Sequence, residues 1–68
     1  MNDEKLNLEI RKLLKRFGVT AQPKVAHAIL KAIEEGKLQG HERLQVRICF
    51  EVPELGMKHE IDGEIHLD

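Results

Sequence analysis

At Arg43 the hydrophobic period of the chain changes from 3.6 residues to 2, and that switch limits the folds open to it. Leu44, Val46, Ile48, Phe50 and Val52 alternate with Arg43, Gln45, Arg47, Cys49 and Glu51. After "PELG", Met57, His59, Ile61, Gly63, Ile65 and Leu67 alternate with Lys58, Glu60, Asp62, Glu64 and His66. The pattern predicts two strands, 43–52 and 57–67, each with one apolar face. If Pro53 to Gly56 form the turn, paired residues have numbers that sum to 109. Val52 then faces Met57, Phe50 faces His59, Ile48 faces Ile61 and Leu44 faces Ile65. On the other side Glu51 meets Lys58 and Arg47 meets Asp62. A slip of one residue would destroy both patterns together. Gly63, inside the second strand, predicts a bulge or a close backbone approach.

A lone two-stranded hairpin is marginal in water, so something must cover its apolar face. Upstream, Leu6, Ile10, Leu13, Leu14 and Phe17 make one helical stripe, predicting a helix over 2–17. Asn2 is its expected N-cap, followed by Asp3 and Glu4. Lys12, Lys15 and Arg16 fall near its C-terminus, where the helix dipole favours bases. Gly18 is expected to end it in a left-handed conformation. A second helix is predicted over 21–35, starting at Ala21 or Pro23, with Thr20 or Gln22 as its cap. Pro23 is expected in its first turn, where the missing N–H is not needed. Val25, Ile29, Ala32 and Ile33 form its stripe, and Gly36 ends it. The expected fold is therefore one α+β domain over 1–68 of order α-α-β-β. Two helices pack on one face of an antiparallel hairpin, which two copies could extend into a larger sheet. Leu8 lies off the first stripe and is a candidate second contact.

Composition narrows the rest. With 68 residues the chain is near the small end of what folds alone. Only two Phe and no Trp or Tyr are present, so a core must come from Leu, Ile and Val. The single cysteine, Cys49, allows no internal disulfide and no zinc-finger pattern, and it fits a reducing cytoplasm. The N-terminus lacks the basic start and apolar run of a signal peptide, and no stretch reaches membrane-span length. The net charge of −1 hides an asymmetry. Residues 1–47 carry ten Lys/Arg against six Asp/Glu, and residues 48–68 carry Lys58 alone against six acids. That distribution disfavours general binding to phosphates.

The stretches "MNDEKLNLEIRKLLKRFGVTAQ", "AIEEGKLQG" and "VPELGMKHEIDGEIHLD" resemble a family of small bacterial proteins of about this length and of unknown function. The similarity extends over the full chain. It implies a soluble, proteobacterial protein and supplies no functional residues to carry over.

Candidate chemistry is sparse. His41, His59 and His66 invite a metal reading, but alternate strand residues point to opposite faces, so His59 and Glu60 cannot hold one ion together. Surface histidines explain the set better, and no metal or cofactor is expected. His59, on the apolar face, is expected to be partly buried with its ring packed on Phe50, with a pH-sensitive contact as the alternative. Cys49 lies opposite Glu60, which does not favour a thiolate, and no base or oxyanion site is assembled near it. An enzyme is not expected. Helix–helix–hairpin is also part of the outline of a winged helix, in which Lys12, Lys15 and Arg16 would contact phosphates; the acidic hairpin argues against it. The favoured expectation is a structural or regulatory interaction module acting as a homodimer or through a protein partner. Its candidate interface is Leu8, Leu44, Val46, Ile48, Phe50, His59 and Ile61.

Overall fold

The structure is a computed structural model that describes residues 1–68. The chain divides into two compact units, Met1–Lys37 and Leu38–Asp68.

The first unit is a single helix, α1, over Asp3–Glu34. Asn2 caps it: its side-chain oxygen accepts from the backbone N–H of Glu4 at 3.0 Å and of Lys5 at 3.2 Å. Asp3 and Glu4 occupy the first turn, where the exposed N–H groups favour negative charge. At the other end Gly36 takes φ 79°. Its N–H donates to the Ile33 carbonyl at 3.1 Å, and the N–H of Lys37 donates to Ala32 at 2.8 Å. This is the Schellman arrangement, which satisfies carbonyls that would otherwise lack partners.

The expectation of two helices over 2–17 and 21–35, packed on one face of the hairpin, is thus corrected: there is one helix. Gly18 does not stop it, because only Gly36, Gly40 and Gly56 have positive φ. Pro23 lies inside the helix rather than in a first turn. Thr20 does not cap forwards. Its hydroxyl turns back to the carbonyls of Arg16 at 2.8 Å and Phe17 at 3.2 Å. The energetics favour continuity. An interior Gly costs about 1 kcal/mol and an interior Pro about 3 kcal/mol. A break would instead leave four N–H and four C=O groups to be satisfied anew on its two sides. A side chain at position 18 would meet nothing within 4 Å. Gly18→Ala is therefore expected to raise the thermal stability of the helix, by about 1 kcal/mol, as measured by circular dichroism. A left-handed stop at that position would give a loss instead.

The second unit begins with a loop and continues as the hairpin. Strand β1 covers Arg43–Val52 and strand β2 covers Met57–His66. They pair antiparallel in the register expected from the alternation: Val52 with Met57, Phe50 with His59, Ile48 with Ile61 and Leu44 with Ile65. The turn is one 3-10 turn over Pro53–Leu55, where proline's fixed φ suits the first position. Gly56 follows with φ 61°, and its N–H donates to the Pro53 carbonyl at 3.1 Å. The ladder runs through Gly63 opposite Val46 without a bulge, which corrects that alternative. A Cβ at position 63 would meet the Val46 side chain at 3.8 Å, an ordinary contact.

The loop before β1 is organised by one carboxylate. Glu42 accepts from the backbone N–H of Gln39 at 2.7 Å, Gly40 at 2.9 Å and His41 at 3.2 Å. The Gln39 bond leads in holding the Glu42 carboxyl below its usual pKa, with the Gly40 and His41 bonds adding to it against some desolvation. A depressed folded-state pKa means that the stabilisation is complete above the ordinary carboxylate pKa. It is lost as pH falls through the lower folded value. The amide resonances of Gln39, Gly40 and His41 are expected to titrate together, with a midpoint below the usual carboxylate range. Glu42→Gln should abolish that titration. A midpoint at or above the usual range would contradict the arrangement.

No residue of the chain is buried.

Candidate interaction surface

The hairpin presents one apolar face by the parity of its ladder. Leu44, Val46, Ile48 and Phe50 share it with Ile65, Gly63, Ile61 and His59. Leu44, Val46 and Phe50 are half-buried, whereas Ile48 and Ile61 stay 46% and 52% exposed. His59 stands on this face as expected, opposite Phe50, but it is exposed rather than partly buried. The opposite face is polar. Arg47 Nε donates to Asp62 Oδ1 at 2.8 Å, the expected cross-strand pair, and lies 3.6 Å from Glu60 Oε2. Lys58 is level with Glu51 in the ladder, yet its ammonium pairs with Glu60 at 3.0 Å. These exposed pairs fix orientation and contribute little to stability.

Cys49 projects from the polar face and its thiol donates to Glu51 Oε1 at 3.5 Å. Desolvation first, then the hydrogen bond and negative charge of Glu51, push the thiol pKa up. Glu60, level with it across the ladder, pushes in the same direction more weakly. The group is therefore held as a thiol, the poorer nucleophile. No three His, Cys, Asp or Glu side chains gather as a metal-binding group.

The helix carries the larger surface. Leu6, Ile10, Leu13, Leu14, Phe17 and Val25 are each between 42% and 51% exposed. Because the helix is continuous, its two predicted stripes are one stripe. Ala21 and Val25 follow Phe17 at spacings of four, and Ala28, Ile29 and Ala32 carry the line on to the C-terminal end. Ala32 belongs to the stripe expected for a second helix and Ala28 widens it, but Ala21 was not joined to Phe17, because a break at Gly18 splits the stripe in two. The signal that would have joined them is phase: the 17, 21, 25 spacing crosses the supposed break without a shift. Leu8 lies off this stripe at 49% exposure. It is aligned instead with Val19 and Leu30, eleven and twenty-two residues on, which are 63% and 66% exposed.

Lys12, Lys15 and Arg16 are exposed and form no ion pairs. They lie away from the apolar stripe. With a single helix there is no helix–turn–helix to present them to a duplex, so the outline that suggested a winged helix is absent. No helix is long and apolar enough to cross a membrane.

Comparison with known proteins places the chain without assigning it an activity. No curated protein and no solved structure matches it. Over its whole length, residues 1–68, it matches one family model, and the chain belongs to that group, the Family of unknown function (DUF6494).

Proposed function

We propose that the chain is a non-enzymatic structural or regulatory interaction module of the bacterial cytoplasm that works as a two-fold symmetric homodimer. The observation that carries this reading is the absence of any buried residue, with fourteen large hydrophobic side chains left exposed. A chain of this size needs its apolar area removed from water to offset the entropy of ordering it. A 32-residue helix and a two-stranded sheet with one apolar face do not achieve that singly. Self-association supplies the missing burial, and a two-fold dimer does so with one self-complementary surface. The candidate hairpin residues Leu44, Val46, Ile48, Phe50, His59 and Ile61 and the helix stripe are the surfaces available for it. The raised thiol pKa of Cys49 and its acidic neighbour weigh against nucleophilic chemistry. Sedimentation equilibrium at micromolar concentration tests the proposal. The expected mass is twice 7.8 kDa, and a mass that stays at 7.8 kDa as concentration rises would overturn it.

A further inference from the structure

We propose that the surface on α1 is occupied by α1 of a second copy, running antiparallel, with the two-fold axis at the level of Val19. This inference rests on the self-association reading and adds its geometry. An axis at residue 19 brings residue i of one copy level with residue 38 − i of the other. Eight residues of the main stripe pair about that point: Leu6 meets Ala32, Ile10 meets Ala28, Leu13 meets Val25 and Phe17 meets Ala21, while Leu14 and Ile29 fall level with Lys24 and Glu9. Each of the four stripe pairs joins a large side chain from the N-terminal half to a smaller one from the C-terminal half. Helices pack closely when large side chains on one fill the space left by small ones on the other. A parallel, in-register pair would set Phe17 against Phe17 and leave Ala21, Ala28 and Ala32 facing one another across gaps.

Charge favours the same arrangement. In a parallel pair Arg11, Lys12, Lys15 and Arg16 of the two copies would stand at the same levels. The antiparallel pair moves each cluster to the level of residues 22–27 of the other copy, where Lys24 is the only Lys or Arg. Glu9 and Lys31 are twenty-two residues apart, about six turns, so they lie on one flank of the helix. The proposed register sets Glu9 within one turn of Lys31 of the second copy, and symmetry makes this pair twice. The two helix dipoles also run opposite ways. Two pairings of like sign remain, Asp3 level with Glu35 and Glu4 level with Glu34, at solvent-facing ends where screening is strong. The matched stripe from Leu6 to Ala32 is about 40 Å long, enough for a contact on the order of 800 Å2 per copy, the size of a standard stable interface.

The test uses the full chain with Cys49→Ser, so that one added cysteine carries one nitroxide. The two label positions are Lys5→Cys, near the helix start, and Arg16→Cys, near the proposed axis. Pulsed dipolar spectroscopy measures the distance between copies, and sedimentation equilibrium is run on the same samples. The expected result is a dimer with labels at 5 more than ~40 Å apart and labels at 16 less than ~30 Å apart. A dimer with short distances at both positions would overturn the antiparallel geometry in favour of a parallel pair. A dimer with long distances at both would place the contact on the hairpins instead. In either case self-association stands. A monomeric mass with no dipolar signal would overturn both the geometry and the reading beneath it.

Discussion

Phe17→Asp is expected to abolish dimerisation, weakening self-association at least ~100-fold in sedimentation equilibrium, a loss of about 2.7 kcal/mol or more. Phe17 is the largest side chain on the helix stripe and is 51% exposed in the single chain. In the proposed dimer it sits next to the axis, where both copies remove it from water. An aspartate there must carry an unpaired charge into an apolar contact or stay out of it, and either course costs several kcal/mol. If folding and association are coupled as proposed, helix content falls with the dimer. A matched control separates this from a general effect of helix substitution. Lys12→Gln, Lys15→Gln and Arg16→Gln together alter exposed residues off the stripe and should leave the dimer mass and the fold intact. A Phe17→Asp chain that still sedimented as the wild-type dimer would remove the helix stripe from the interface.

Ile48→Asp is expected to have the second largest effect, a loss of the cooperative melt of the hairpin. Ile48 pairs with Ile61 at the middle of the apolar face, so the charge cannot escape to a strand end. In the single chain, however, Ile48 is 46% exposed. If that exposure persisted in solution, the substitution would cost only the difference in strand propensity, within about 1 kcal/mol. If association covers the face, the cost rises to that of burying an unpaired carboxylate. The size of the effect therefore reports whether the hairpin face is covered. Arg47→Ala on the opposite face breaks the 2.8 Å pair with Asp62 and is expected to change stability by less than about 1 kcal/mol.

What the sequence made legible follows the same division. The hairpin was readable to the residue because two independent patterns, apolar alternation and the Glu51–Lys58 and Arg47–Asp62 levels, agree in one register only. Proline and glycine at 53 and 56 then fixed where the turn falls. Its apolar face, and so half of the candidate surface, was readable for the same reason. The helix was readable as helix but not as one helix. Gly18, Thr20 and Pro23 each have two physical meanings: stop or tolerated cost, forward cap or back-bond, first turn or interior. Local chemistry does not choose between them, and a break was the reading that made all three favourable at once. Continuity won although each residue individually costs the helix something, which is why the join from Phe17 through Ala21 to Val25 was hidden. The burial of His59 was misjudged for a related reason. Strand parity tells which face a side chain is on, but coverage of that face depends on what packs against it.

If this chain completes its core with a second copy of itself, folding depends on concentration. The direct measurement is the thermal melt, followed by circular dichroism over a hundredfold range of protein concentration. One cooperative transition is expected, with a midpoint that rises as concentration increases, because association with the folded state stabilises it by mass action. A cooperative melt with a midpoint independent of concentration would contradict self-association, since the single chain would then be stable with its apolar stripe and hairpin face in water.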